Sequence, residues 1–266
     1  MPELPEVETL RRELEHVVLG KKITEVCVHH PLVIRQPQVE QFKKGLTGVS
    51  IKGILRKAKV LILELSSGKA LVIHLKMTGQ LVYPGGGKKA RVSFHFSDGK
   101  VLDFNDQRLF AELRLMDDWG RLPFIQGLGP EPFDLAIGQF KTMLSAKRTK
   151  IKPLLMDQAF ISGIGNLYAA ESLFRARIHP ERPANSLSDK EKEALFTAIR
   201  EVLQDAIRHG GSSVDDYVRL SGKPGGYVPY HKVYGREGKP CLVCKTPVKR
   251  SSLGGRGTYF CPRCQK

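Results

Sequence analysis

The chain has 266 residues, and its 43 lysines and arginines outnumber its 27 aspartates and glutamates, which leaves a net charge of +16. A positive excess of this size favours a polyanionic partner, with nucleic acid first, over an acidic small molecule. The length exceeds that of a typical single domain, so two packed units are expected. No stretch approaches the roughly 20 apolar residues of a membrane span, and the N-terminus lacks the basic start and apolar core of a signal peptide. We therefore expect a cytoplasmic protein without a membrane partner.

The first predicted element is an amphipathic helix. Pro5 fits its first turn, Gly20 follows its end, and its apolar positions recur with helical spacing at Val7, Leu10, Leu14 and Val17. Six runs rich in β-branched and aromatic residues come next: Ile23–Val28, Val60–Leu65, Ala70–Leu75, Arg91–Phe96, Val101–Phe104 and Glu112–Met116. Turn sequences separate some of them, as hairpins require. This half of the chain predicts an antiparallel β-sandwich or barrel.

Glycine and proline interrupt this pattern at residues 127–132, and helical periodicity follows. Four helices are predicted: Ile137–Ala146, Pro153–Gln158, Asn166–Arg177 and Asp189–His209. Ser188 and Glu191 form a capping box at the start of the last one. From Gly210 to Tyr230, glycine, serine and proline recur without periodicity, which indicates a mobile loop or a linker. We therefore divide the chain into domain 1–126, hinge 127–136, a mainly helical domain 137–230 and a terminal segment 231–266.

Four of the five cysteines form two C-x-x-C pairs, separated by 16 residues, in the terminal segment: Cys241, Cys244, Cys261 and Cys264. This spacing is typical of tetrahedral zinc coordination at the base of a hairpin, and a reducing compartment argues against disulfides. Four thiolates leave no position for water, so we expect one structural zinc ion. Residues 231–266 contain nine lysines and arginines and one acid, a net charge of +8 and half of the total. The hairpin is predicted either to contact phosphate or to be a solvated surface.

Pro2 is a candidate nucleophile. Met1 precedes a small residue, so its removal is expected to expose a secondary amine whose unperturbed pKa is about 8. The adjacent helix N-terminus would favour the neutral amine further. Condensation with a sugar aldehyde would give a cationic iminium, which is an electron sink for phosphate elimination. Glu3 lies close enough to act as a general acid or base, although the same sequence also fits an ordinary helix start.

Three distant motifs resemble those of the formamidopyrimidine-DNA glycosylase family. They are Pro2–Thr9, Gly163–Glu171 and the terminal cysteine pairs, and three further segments agree: Leu128–Pro132, Ile151–Gln158 and Val233–Arg236. The resemblance covers essentially the whole chain. It implies a bilobal α+β protein with an N-terminal antiparallel β-sandwich flanked by helices, then a helix-two-turn-helix domain and a zinc-finger β-hairpin. Double-stranded DNA would bind between the lobes, and a monomer associated with the nucleoid suits this architecture.

The same resemblance implies a base-excision repair enzyme with glycosylase and AP lyase activities. Its substrate would be duplex DNA that contains oxidised purines, such as 8-oxoguanine or formamidopyrimidines, or abasic sites. Pro2 would form a Schiff base that leads to β- and δ-elimination, with Glu3 protonating the opened sugar and Lys59 counted as a third catalytic residue.

Flipping a base out of the stack costs a few kcal/mol, so the gap must be filled. The resemblance implies that Met77, Arg108 and Phe110 fill it. If residues 106–110 are extended, Arg108 and Phe110 point to the same side. Without the resemblance, Met77 and Phe110 would be interpreted as core residues and Arg108 as a charged surface residue. Gln107 and Leu109 differ from the residues that many family members carry at these positions.

Other residues acquire expected roles by the same resemblance. Five are expected to bind the DNA backbone: Lys59, His74, Lys152, Asn166 and Arg256. Three are expected to support the site: Glu6, Tyr168 and Glu171. Ser221 and Lys223 belong to the segment 212–230, which corresponds to the loop that closes over an everted oxidised purine.

Two alternatives remain at this stage. One is an endonuclease VIII-like enzyme that uses the same proline on oxidised pyrimidines, although Leu4 and the retained loop favour purines. The other is a catalytically silent zinc protein that binds damaged DNA. A blocked N-terminal amine would separate these classes, since it would abolish lyase chemistry and leave much of the DNA affinity.

Overall fold

The computed structural model describes residues 1–87 and 89–266. Residues Met1–Gln126 and Ile207–Val228 pack into a first compact unit, and Gly127–Ala206 and Pro229–Lys266 form a second. Residues Ile207–Val228 thus pack with the N-terminal residues, whereas the boundaries predicted from the sequence assign them to the helical domain. No helix in the described residues is long and apolar enough to cross a membrane.

The first unit contains two sheets and three α-helices in its described residues. The helices are α1 (Leu4–Val18), α2 (Val39–Leu46) and α3 (Pro123–Gln126). The strands are β1 (Ile23–Val28), β2 (Ile34–Gln36), β3 (Ile51–Lys57), β4 (Val60–Leu65), β5 (Ala70–His74), β6 (Gly79–Val82), β7 (Ala90–Phe96), β8 (Val101–Asp106) and β9 (Glu112–Met116). They form a four-stranded sheet of order β1-β7-β8-β6 and a five-stranded sheet of order β2-β9-β5-β4-β3. Both sheets are open, which confirms the sandwich, and the short β2 pairs parallel to β9 where we expected only antiparallel pairs.

One apolar core is shared by the two sheets and α1. Strand β4 shows why its sequence is almost continuously apolar: Leu61 and Leu63 enter this core, whereas Val60 and Ile62 contact the cluster around α3 on the opposite face. Side chains alternate between the faces of a strand, so a strand covered on both sides must be apolar throughout. Helix α1 contributes Leu10 to the shared core with the periodicity read from the sequence.

Glu8 anchors α1 to strand β3 through an ion cluster. Its carboxylate accepts hydrogen bonds from Arg11, from Arg12 at 2.7 Å and from Arg56 at 3.0 Å. Burial alone would raise the pKa of Glu8, but the three guanidinium groups outweigh it and hold the pKa at about 2. Arg56 also donates to Ala58 O, in the turn that carries Lys59. The cluster therefore ties the N-terminal helix to this hairpin.

We expect Glu8→Gln to lower the free energy of unfolding by about 3 kcal/mol at pH 7. The folded-state pKa lies below the unfolded value, so this stability is fully present above about pH 4.5 and is lost as the pH falls towards 2. Guanidinium unfolding of both proteins across this range should show the two stabilities converging at low pH. Glu15→Gln is the matched control, because Glu15 pairs only at the helix surface with Arg11. A constant difference at all pH values would contradict the assignment.

The second unit is helical and ends in a β-hairpin. Its elements are α4 (Ile137–Ser145), α5 (Ile151–Met156), α6 (Asn166–Arg175), α7 (Asp189–Arg208), whose last residues belong to the first unit, β10 (Lys249–Leu253) and β11 (Arg256–Phe260). The capping box is confirmed, since Glu191 accepts from Ser188 N at 2.8 Å and Ser188 Oγ accepts from Glu191 N at 3.4 Å. Gly254 and Gly255 form the tip of the hairpin with φ of 58° and 70°, a left-handed conformation that favours glycine.

Candidate active site and DNA-binding residues

The start of α1 is buried and fixed by a carboxylate. Pro2 is buried, and Glu3 is 5% exposed. Glu6 accepts a hydrogen bond from Glu3 N at 2.8 Å through one oxygen and from Ser212 N at 2.9 Å through the other. Its carboxylate thus joins the N-terminus to the first residues of the segment that follows α7. This position agrees with the supporting role expected of Glu6.

Lys59 and His74 lie close together on the five-stranded sheet. Lys59 is in the two-residue turn between β3 and β4 and is 7% exposed, and Val60 beside it pairs with His74. His74 Nδ1 accepts a hydrogen bond from Lys76 N at 3.1 Å, so its remaining proton lies on Nε2. Burial, assisted by the charge of Lys76, lowers the pKa of His74 to about 3. His74 is therefore a neutral hydrogen-bond donor at physiological pH.

Met77, Arg108 and Phe110 lie in two turns rather than in strands. Strand β8 ends at Asp106, and Leu109 adopts φ of 59°, so the segment is not extended and strand alternation does not place Arg108 and Phe110 on one side. The two side chains nevertheless meet, because Arg108 Cζ lies 4.8 Å from the centre of the Phe110 ring. Phe110 is 50% exposed, which excludes the ordinary core interpretation for this residue. Met77 is half-buried.

The segment after α7 is attached to the first unit at several points. Tyr217 and Leu220 enter the shared core, and Leu220 N donates to Glu13 at 2.8 Å. At the base, a Cβ on Gly225 would lie 2.4 Å from Gly211 O, so only glycine fits there. The sequence left a mobile loop or a linker open, and the structure shows a loop that is anchored at these points. Ser221 and Lys223 are exposed at its tip.

Lys152 connects three elements of the second unit. It is completely buried in α5, and its Nζ donates to Asn166 Oδ1 at 2.6 Å, to Thr258 Oγ1 at 2.9 Å and to Gly257 O at 3.4 Å. A lysine can only donate, so the Asn166 atom must be oxygen and its amide NH₂ is left to serve as a donor at the start of α6. Thr258 was missed by sequence reasoning, because a contact across 106 residues has no local signal. Arg256 is exposed beside the hairpin tip.

Glu171 holds the chain that leads to the hairpin. Its carboxylate, 2% exposed, accepts hydrogen bonds from the backbone N–H groups of Lys232, Val233 and Tyr234 at 2.8 to 3.0 Å. Burial raises the pKa of Glu171, and these three donors oppose the rise by stabilising the ionised form. Tyr168, one turn earlier on α6, is wholly buried. Both residues therefore act in the interior of the unit.

The four terminal cysteines fit one zinc ion. Their Sγ atoms all lie within 4.8 Å of one another, with Cys241 and Cys264 at 3.9 Å and Cys244 and Cys261 at 3.4 Å. A tetrahedral ion with Zn–S bonds of about 2.3 Å places sulfur atoms about 3.8 Å apart. The donor set closes the coordination shell and supplies no position for substrate, so the zinc that these residues hold is structural.

Family models match three parts of the chain. They describe the formamidopyrimidine-DNA glycosylase N-terminal domain over residues 1–113, the formamidopyrimidine-DNA glycosylase H2TH domain over residues 128–218, and the zinc finger found in FPG and IleRS over residues 238–266. A formamidopyrimidine-DNA glycosylase of Pelotomaculum thermopropionicum is 44% identical over 274 residues, which cover 100% of this chain and 99% of that protein. A formamidopyrimidine-DNA glycosylase of Listeria innocua is 40% identical over 274 residues, which cover 100% of both proteins.

Solved structures are similar over the same length. The MutM (Fpg) protein of Thermus thermophilus has a TM-score of 0.89 and 41% identity, with 99% of this chain and 98% of that chain covered. A Lactococcus lactis Fpg variant in complex with Fapy-dG-containing DNA has a TM-score of 0.90 and 38% identity, with both chains covered completely. The Lactococcus lactis Fpg complex with abasic-site DNA has a TM-score of 0.90 and 37% identity, with 99% of each chain covered.

The β-sandwich unit, the helical unit and the cysteine finger together define a DNA glycosylase of the zinc-finger class. More narrowly, the chain belongs to the formamidopyrimidine-DNA glycosylase family.

Proposed function

We propose that this protein removes oxidised purines, such as 8-oxoguanine and formamidopyrimidines, from duplex DNA and then cleaves the strand as an AP lyase. The observation that carries the proposal is the N-terminus: Pro2 and Glu3 are buried immediately before α1, and the Glu6 carboxylate accepts hydrogen bonds from Glu3 N and Ser212 N. Relatives of this chain bind Fapy-dG or abasic DNA, which supports the same substrates here.

In the proposed reaction the amine of Pro2, freed by removal of Met1, attacks C1′ of the damaged nucleotide. The glycosidic bond breaks and the base leaves with the proton that the Pro2 nitrogen gives up. The sugar ring then opens to the iminium as its ring oxygen takes a proton from Glu3. The cationic iminium accepts electrons when C2′ loses a proton, so the 3′-phosphate departs. A second elimination then releases the 5′-phosphate. Lys59 and the neutral His74 would hold the phosphates during these steps, whereas the buried Lys152 would act through Asn166.

The anchored loop favours purines over pyrimidines as substrates. Its base is closed by the contact of Gly225 with Gly211, and its tip presents Ser221 and Lys223. A loop of this kind corresponds to the one expected to close over an everted oxidised purine. The endonuclease VIII-like alternative is therefore the second choice, to be tested on the same enzyme preparation.

Borohydride trapping on duplex DNA with 8-oxoguanine opposite cytosine tests the proposal. We expect a covalent adduct that maps to Pro2, a weaker adduct with Pro2→Gly, which replaces the secondary amine by a primary one, and no adduct when a retained N-terminal extension blocks the amine. Both controls should keep much of the DNA affinity. An adduct only with oxidised-pyrimidine DNA would favour the alternative enzyme, and binding without any adduct on either substrate would leave a silent DNA-binding protein.

The charge states of two proposed phosphate ligands give separate expectations. His74→Ala should weaken duplex binding without changing the slope of log affinity against log salt, because a neutral imidazole displaces no counterion. Arg256→Ala should reduce that slope by about one. Fluorescence anisotropy between about 50 and 200 mM salt measures both. Arg175→Ala is the control, since Arg175 is already paired with Glu201 at 2.6 Å. A slope change of about one in His74→Ala would show a charged imidazole in the complex.

A further inference from the structure

The turn that carries Met77 ends, and the turn that carries Arg108 begins, at one pair of facing residues. Gly79, the first residue of β6, pairs in register with Asp106, the last residue of β8. A Cβ on Gly79 would lie 2.5 Å from Leu75 O and 3.0 Å from the Ala111 side chain, so the two turns approach closely at this point. A displacement of one turn would therefore displace the other.

The carboxylate of Asp106 binds both turns. It is 1% exposed. One oxygen accepts hydrogen bonds from the Thr78 hydroxyl and from Arg108 N at 3.3 Å, and the other accepts from Ala111 N at 2.7 Å. Thr78 Oγ1 also accepts from Arg108 N, at 3.1 Å. A single buried group thus fixes the residue after Met77 and the residues at both ends of the Arg108–Phe110 turn.

We propose that Asp106 is a positioning residue that holds Met77, Arg108 and Phe110 as one unit and thereby sets the preference for the base opposite the lesion. The inference rests on the proposed function, in which these three side chains fill the gap left by the flipped base. We call these three side chains the wedge. The wedge is effective only if its conformation is fixed before DNA binds, since ordering each side chain on association would otherwise cost free energy. Arg108 can discriminate the opposite base only if its backbone is fixed, and Asp106 fixes it.

The arrangement requires a side chain with two acceptor oxygens rather than any polar group. The three donors that face Asp106 are two backbone N–H groups and a hydroxyl, so both carboxylate oxygens act as acceptors. Asparagine has one acceptor and one donor, so its NH₂ would face an N–H group of one turn. Asp106→Asn keeps the volume of the side chain and releases that turn.

The chain offers a closely matched control in Asp103. It lies on the same strand, is 2% exposed, and accepts from Ser93 Oγ, Gly86 N and Gly87 N at 2.7 to 2.9 Å. Asp103→Asn therefore removes a buried carboxylate with the same number of donors from a different turn. Losses of stability common to both variants cannot be assigned to the wedge.

The experiment compares single-turnover excision of 8-oxoguanine opposite cytosine and opposite adenine for the wild type, Asp106→Asn and Asp103→Asn. We expect Asp106→Asn to lose roughly ten- to hundred-fold in rate opposite cytosine and most of its opposite-base preference. Strand cleavage of a single-stranded abasic substrate, which has no opposite base, should change less than about threefold. Asp103→Asn should keep the preference on the duplex.

A double-mutant cycle checks that Asp106 acts through the wedge. In an Arg108→Ala background, Asp106→Asn should have little further effect on the opposite-base preference, because the reading side chain is already gone. Equal losses on duplex and single-stranded substrates, or an unchanged preference in Asp106→Asn, would overturn the inference. Failure of the wild type to form a Pro2 adduct would instead overturn the proposed function, so the two failures are distinct.

Discussion

Loss of zinc is expected to lower the affinity for duplex DNA by about 100-fold, through the fold of the C-terminal hairpin. The cysteines are part of a small core that also contains Phe174 of α6, Val233 and Val248. Without the metal, β10 and β11 lose the base that joins them, because the zinc ion links the two C-x-x-C pairs. Arg256 and the other basic residues of the hairpin would then be presented by a flexible chain, and ordering them on DNA would cost free energy.

The measurement is anisotropy of labelled duplex DNA with the wild type, the chelated protein and Cys261→Ser, alongside the zinc content of each. Cys261 is fully buried and its replacement breaks the tetrahedral set. Cys27→Ser is the matched control, because Cys27 lies in β1 outside the zinc group. We expect one zinc per chain and full affinity in Cys27→Ser. Full affinity in a zinc-free Cys261→Ser protein would show that the hairpin does not need the metal.

The periodic parts of the fold could be predicted from the sequence. Apolar spacing predicted the N-terminal helix and most of the long strands. Strand β4 was the clearest case, because both of its faces are covered and its apolar pattern has few interruptions. Strand β3 was missed because Gly53 and flanking lysines weaken its pattern, and β6 because it has four residues. In these strands neighbouring β-strands, rather than local propensity, determine the conformation.

The site divides in the same way. The cysteine set could be predicted because its ligands are close in sequence. The role of Pro2, which depends on its position in the chain, stays a prediction. Glu171 accepts hydrogen bonds from backbone N–H groups 61 to 63 residues away, and no side-chain pattern in the sequence predicts these contacts. Leu109 adopts a left-handed conformation that its residue type does not predict, which is why the turn of Arg108 was expected to be a strand.

Replacement of Lys152 by methionine is expected to weaken DNA binding by roughly 10- to 100-fold and to lower the free energy of unfolding of the second unit by about 3 kcal/mol. Methionine has a similar volume, but Asn166 Oδ1 and Thr258 Oγ1 would lose their buried donor. The Asn166 amide would then be free to turn, and its NH₂ would no longer be directed with the N-terminal N–H groups of α6. That group of donors is a favourable site for a phosphate, so its loss should reduce affinity beyond the loss of stability.

Lys150→Met separates this effect from a simple loss of charge. Lys150 immediately precedes α5, is exposed, and is paired with Glu181 at 2.6 Å, so its removal should change stability by less than about 1 kcal/mol. Asn166→Asp provides the second arm, because it keeps the acceptor for Lys152, removes the NH₂ donor that is expected to face phosphate and places a negative charge there. We expect Asn166→Asp to reduce DNA affinity while the unfolding transition, followed by circular dichroism, stays near that of the wild type. An unaltered affinity in Asn166→Asp would mean that Lys152 acts on DNA only through the packing of α5, α6 and the hairpin.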